Sequence, residues 1–125
     1  MPREAMQPPG IRAAGPYSPA VIASGRLMFV ASQGPVDHAT GTRIDGTIQE
    51  ETLQSLTNLR TIVESSGGRL ANAVKVTVFL RDMADFAGMN QVFRDFFLEP
   101  FPARTTVQSN LPYRVAIDVI VAMDE

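Results

Sequence analysis

The sequence predicts an α+β domain in which two helices pack on one face of a mixed β-sheet. Three observations carry that expectation. Two segments repeat apolar residues at helical spacing. Several others are β-branched and alternating, in the order strand, strand, helix, strand, helix, strand, strand. The final strand is apolar on both faces, so both faces should be covered.

At 125 residues the chain fits a single domain, residues 1–125, able to bury roughly two-thirds of its unfolded surface. Its N-terminal stretch, Met1 to Ile11, is proline-rich, polar and expected to be loose. Ala20 to Ala23 and Leu27 to Gln33 read as strands around the turn Ser24-Gly25-Arg26. Gly34 to Gly41 is turn material. Thr47 and Glu50 have the spacing of a capping box, in which each side chain satisfies a free N–H of the other residue. Leu53, Leu56, Leu59 or Arg60, and Val63 follow as one apolar stripe, and Gly67-Gly68 stops the helix. Val74 to Leu80 alternates as a strand. A second helix is expected from about Met83 to Phe97, capped by Asp82, with Phe86, Met89, Phe93 and Phe96 inward. Ala103 to Ser109 and Val115 to Met123 are the closing strands.

In the last of these, Val115, Ile117, Val119 and Val121 share one face, while Ala116, Ile120 and Ala122 make the other largely apolar. Two helices cover one side of a sheet. The other side is expected to meet a further copy of the chain.

Composition narrows the function. There is no cysteine, which excludes disulfides and thiolate chemistry. One histidine, His38, sits in a turn, so neither a metal site nor a Ser-His-Asp triad is expected. Net charge is −2 and the eleven basic residues are scattered, which argues against nucleic acid and against membrane surfaces. No segment approaches the roughly 20 apolar residues of a membrane span. Without an apolar run behind a basic start at the N-terminus, the cytoplasm is the expected compartment.

Two residues stand out as candidates. Arg104 begins a strand expected to lie beside the doubly apolar one, and its planar fork suits a carboxylate. An internal salt bridge or a guanidinium reaching out to solvent would also account for it. Asp118 interrupts the apolar final strand, and a buried carboxylate needs a partner. Arg104 is the obvious mate if a hairpin through Asn110-Leu111-Pro112 has the right register; a slip of one residue separates them. Thr106, two residues past Arg104, would share its face.

The segments Gly15-Pro16-Tyr17-Ser18-Pro19-Ala20, Phe29-Val30-Ala31-Ser32-Gln33-Gly34-Pro35, Val74-Lys75-Val76-Thr77-Val78-Phe79-Leu80, Asp85-Phe86 and Phe101-Pro102-Ala103-Arg104-Thr105-Thr106-Val107 occur in this order over nearly the whole chain. Together they resemble the RidA/YjgF family, which also carries the older labels translation initiation inhibitor and endoribonuclease L-PSP. The resemblance implies a chorismate-mutase-like fold and a homotrimer whose sheets form a central barrel, with clefts between subunits. It implies hydrolysis of reactive enamines and imines such as 2-aminoacrylate to 2-oxo acids and ammonia, without a cofactor. The family's carboxylate-binding arginine falls on Arg104, a cleft tyrosine contributed across the interface on Tyr17, and a cleft asparagine on Asn90. Backbone carbonyls near Ser32 and Gly34, with Thr106 and Asp118, would place the water.

The chain also departs from the pattern. Thr106 stands where many members have cysteine, Asp118 where glutamate is usual, and Ala31-Ser32 where serine-glycine is usual. The link from Phe97 to Phe101 is short. The resemblance therefore leaves room for an aminomuconate-type deaminase. It also leaves room for a module that binds small carboxylates without turning them over.

Overall fold

A computed structural model describes residues 2–124. Its strands are β1 (Arg3–Met6), β2 (Ala20–Ala23), β3 (Leu27–Gln33), β4 (Val36–Asp37), β5 (Thr42–Arg43), β6 (Ala73–Leu80), β7 (Ala103–Gln108) and β8 (Val115–Ala122). Helices α1 (Ile48–Ser65) and α2 (Phe86–Phe97) lie between β5 and β6 and between β6 and β7. The mixed α+β architecture matches the expectation.

Local chemistry explains the boundaries. Thr47 accepts a hydrogen bond from the Glu50 N–H at 3.1 Å, and the Glu50 carboxylate accepts from the Thr47 N–H at 2.9 Å, completing the capping box. Gly67 at φ 86° ends α1 in the left-handed region that glycine tolerates. Asp82 does cap a helical segment, but a short one. Its side chain accepts from the Ala84 N–H at 2.9 Å at the head of a 3₁₀ turn, Met83–Asp85, and α2 begins only at Phe86. In α1, Leu56, Leu59 and Val63 are fully buried, whereas Leu53 is 51% exposed and falls outside the stripe.

Two strand expectations change. The N-terminal stretch is ordered as β1, which pairs antiparallel with β2, so β2 does not form a hairpin with β3. The turn after β3 also contains β4, paired with β5. The larger correction concerns the end of the chain. The four-stranded sheet has the order β3-β8-β6-β7, so β7 and β8 are not neighbours. Helix α2 is the crossover of a β6-α2-β7 unit, and such a crossover returns its strand parallel to the first. β7 thus takes the edge next to β6, and β8 pairs antiparallel with β6 on its other side. Asn110-Leu111-Pro112 belongs to a link that passes β6; it is no hairpin turn.

Both helices lie on one face of this sheet. Val76, Val78 and Leu80 of β6 and Val115, Ile117, Val119 and Val121 of β8 are buried there with Leu56, Leu59, Met89 and Phe93. Each such large side chain contributes about 1.5–3 kcal/mol of transfer free energy. The opposite face holds Phe29, Phe79, Ile120 and Val107, and Phe29 is 71% exposed.

Candidate active site

Arg104 sits beside Val76 in the parallel pairing of β6 with β7, so its side chain shares the helix-covered face. It is 9% exposed. Helix α2 presents Phe86, Met89, Asn90 and Phe93 to it at the spacing of one helix face. The guanidinium carbon lies 4.9 Å from the Phe93 ring centroid, 5.0 Å from that of Tyr17 and 5.5 Å from that of Phe86. Nη1 meets the Met89 sulfur at 3.9 Å.

Among the described residues no carboxylate pairs with it. Burial pushes its pKa down to about 10, eased by Tyr17 and reinforced by Arg94, so it remains cationic at neutral pH. Three faces of aromatic rings recover part of the desolvation cost, roughly 0.5–2 kcal/mol each. Its Nε, the Asn90 Oδ1 and the Thr106 Oγ1 are all buried without a hydrogen-bond partner among the described residues. Buried polar groups are normally satisfied. A cation, an amide oxygen and a hydroxyl are thus left open on the helix side of β7.

The segment before β2 walls this pocket. Ser18 N–H donates to the Pro102 carbonyl at 2.9 Å and its hydroxyl to the Phe101 carbonyl at 2.5 Å, and Ser18 bridges Ala103. These bonds hold Tyr17 over the arginine two residues into β7. The expectation that Tyr17 reaches the pocket from another subunit is corrected: Tyr17 and Arg104 stack within one chain, because Ser18 is fastened to the start of β7. Gly15 completes the wall. A Cβ there would lie 3.3 Å from Arg104 Nη2 and 3.5 Å from both Asn90 Nδ2 and Tyr17. Outside it opens a cavity of about 450 Å³ lined by Gln7, Ala13, Gly15, Tyr17, Ser18, Glu99, Pro100 and Phe101.

Arg104, Tyr17 and Asn90 therefore lie together within one chain, with Thr106 on the same face of β7 as Arg104. Asp118 does not join them. It pairs with Thr77, the residue after Val76, and so points to the opposite face of the sheet. The register expected between β7 and β8 does not exist, since β6 separates them. Ser32 and Gly34 go with Asp118. The β3–β8 register shifts between Val30 and Gln33, which leaves Ala31 and Ser32 as a bulge across from Asp118. Within one chain Arg104 thus lies on the helix side of edge strand β7, and Asp118 on the open side of β8.

The aromatic box around the guanidinium was not legible as a site. Phe86, Met89 and Phe93 read as core stripe, which they also are. Glu51 was missed entirely. Its buried carboxylate accepts from the Arg114 N–H at 2.8 Å and the Gly46 N–H at 3.3 Å. Nothing in a helical Glu beside Glu50 signals burial. Among the described residues no group of three or more His, Asp or Glu could hold a metal, and no helix is long and apolar enough to cross a membrane.

Comparison with known proteins agrees with this fold. The family model described as endoribonuclease L-PSP matches residues 8–123. A RutC family protein of Pyrococcus horikoshii is 45% identical over 106 residues, 84% of this chain and 83% of that protein. A 2-iminobutanoate/2-iminopropanoate deaminase of Dermatophagoides farinae is 39% identical over 113 residues, 88% of each. The crystal structure of the Escherichia coli YjgF gene product superposes with a TM-score of 0.75 at 34% identity, covering 90% of this chain and 91% of that one.

Proposed function

This chain belongs to the RidA/YjgF family of endoribonuclease L-PSP proteins, and from that premise we propose that it hydrolyses reactive enamines and imines of amino acids, of the 2-aminoacrylate type, to 2-oxo acids and ammonia. The observation that carries the reading is Arg104, a buried guanidinium that pairs with no carboxylate among the described residues. Such a group suits a substrate that brings the missing anion. Relatives named for this deaminase activity at about 40% identity support it further.

The chemistry asks little of the protein. The enamine tautomerises to an imine, whose carbon is already electrophilic. Arg104 grips the carboxylate with charge-assisted hydrogen bonds and fixes that carbon in place. Water adds to it, a proton moves to nitrogen, and the C–N bond breaks to leave the 2-oxo acid and ammonia. Asp118 accepts the water's hydrogen bond, with backbone carbonyls near Ser32 and Gly34, while the Thr106 hydroxyl and Asn90 amide orient the substrate. No cofactor enters this scheme.

Arg104 and Asp118 lie on opposite faces of one sheet, so this mechanism needs Asp118 from a second copy beside Arg104 of the first. We take the assembly to be a homotrimer, with the open sheet faces forming a central barrel and the sites in clefts between subunits. The partner is then a small imino or oxo acid, with the cytoplasm as its setting.

The test generates several 2-imino acids in situ with an amino-acid oxidase and follows their decay. Acceleration by the wild type that is lost in Arg104→Ala, with the oligomer intact, supports the proposal. No acceleration of any imine overturns it.

A further inference from the structure

Tyr113 lies in the link from β7 to β8, outside every residue assigned to the site above. Its ring occupies the space that a side chain at position 34 would fill. A Cβ placed on Gly34 would come 2.4 Å from Tyr113 Cζ, 2.7 Å from its hydroxyl oxygen and 2.8 Å from Cε1. Gly34 follows Gln33, which is in register with the helix-facing Ile117. Gly34 is the first residue past β3, and continuing the strand's alternation by one residue places position 34 on the other face, that of Asp118. Ala116, on that same open face, is only 4% exposed, while Asp118 and Ile120 farther along the row are half-buried.

Neither partner of this contact is free to retreat. Asn58, itself buried, donates from Nδ2 to the Gly34 carbonyl at 3.3 Å and to the Val36 carbonyl at 2.8 Å. Its Oδ1 is held by Gln54 at 2.9 Å. On the tyrosine side, the Pro112 carbonyl accepts from Arg43 at 3.2 Å. The Arg114 N–H donates to buried Glu51 at 2.8 Å, and Arg114 Nε donates to the Gly46 carbonyl at 2.9 Å. Both flanks of the tyrosine are thus pinned to other parts of the fold, which also gives Glu51 a purpose. A rigid ring held from behind over a glycine is the construction of a wall.

We propose that Tyr113 is a specificity-determining residue: its ring closes the Gly34 side of the cleft and restricts the substrate to small side chains. This rests on the reading that Ser32, Gly34 and Asp118 form half of the site. A wall acts through shape, and added methylenes meeting a filled pocket are discriminated by roughly 10–200-fold. The ring matters here and the hydroxyl does not.

The experiment compares kcat/KM for the imine of leucine with that for the imine of alanine. Tyr113→Ala is expected to raise the leucine-to-alanine ratio by about ten-fold or more. Tyr113→Phe leaves the ratio where it is, and Tyr113→Ala with Gly34→Val, which refills the space from the other side, lowers it again. Tyr113→Leu serves if the alanine variant does not fold. Turnover of both imines with an unchanged ratio in the truncated variants overturns the wall and leaves the deaminase reading standing.

If the wild type turns over no imine, the deaminase reading fails. The wall is then read from calorimetric affinities for pyruvate and 4-methyl-2-oxopentanoate. A relative gain for the branched acid in Tyr113→Ala supports it; an unchanged ratio, or no binding of either acid to the wild type, overturns it.

Discussion

Gly15 touches the arginine pocket so closely that one methyl group tests its fit. Its φ lies outside the left-handed region, so alanine is tolerated by the backbone, yet the new Cβ would press on Arg104 Nη2 at 3.3 Å. The guanidinium must move by a few tenths of an ångström. Gly15→Ala is expected to raise KM for a carboxylate substrate by roughly ten-fold through misplacement of the grip, with thermal stability nearly unchanged; equal KM in the two proteins would contradict the geometry. The same arginine sets an upper pH limit. Its pKa is lowered to about 10 by burial, so carboxylate affinity should hold through neutral pH and fall above about 10 as the cation is lost. Its effect on stability runs the other way. Burial penalises the charged form, so Arg104's contribution to stability rises as pH climbs above about 10 toward the ordinary guanidinium range. A titration of 2-oxo acid binding from pH 7 to pH 11 checks the first statement. Arg104 and Asp118 were both legible because a charge inside an apolar strand is expensive and asks for a reason. Their separation was not. It depends on which strand enters between them, and no residue near either one encodes that.

At the scale of elements, capping chemistry was the most readable feature and the first turn of α1 tests it. Thr47→Ala removes the acceptor for the Glu50 N–H and should cost about 1 kcal/mol, measured by denaturant unfolding. The reciprocal bonds hold the Glu50 carboxyl below its ordinary pKa of 4.5, chiefly through the Thr47 backbone N–H. A depressed carboxyl stabilises the fold above its unfolded pKa and ceases to do so as pH falls through the lowered one. Thr47→Ala keeps that backbone N–H and removes only the lesser side-chain contribution, so the difference between wild type and variant should shrink only slightly in acid. The end of α2 shows the opposite situation. Leu98 closes the helix at φ 59° and ψ 163°, a region that all but glycine avoid, and its side chain is 63% exposed. Leu98→Gly loses little burial and relieves about 1 kcal/mol of backbone strain, seen as a higher Tm. No periodicity marks such a residue. Helices and strands were legible from spacing and caps, whereas the partner of β2 was not, because Arg3–Met6 is too short and polar to read as a strand.

For the whole molecule, the sheet itself states what is missing. The apolar pattern on both faces of β8 implied a covered second face, yet Phe29 and Val107 stand exposed on it. Asp118 and the Ala31–Ser32 bulge lie among them. If copies pack through that face, Phe29→Asp places a charge in the interface and should yield monomers by light scattering, with imine hydrolysis lost while helix content is kept. Such loss alone would not say which residues are shared. Complementation does. Arg104→Ala and Asp118→Asn each break every site of their own oligomer, and each is expected to lose roughly 10²-fold or more in kcat. After unfolding and refolding as an equal mixture, a site is intact when its arginine comes from the Asp118→Asn chain and its aspartate from the Arg104→Ala chain. Random assembly makes each choice half the time, so about a quarter of wild-type activity should return. Were both residues to act within one chain, no mixture could restore either. An inactive mixture of correctly assembled oligomers would therefore move Asp118 out of the mechanism, and the carboxylate that positions the water would have to be sought on the arginine's own side of the sheet.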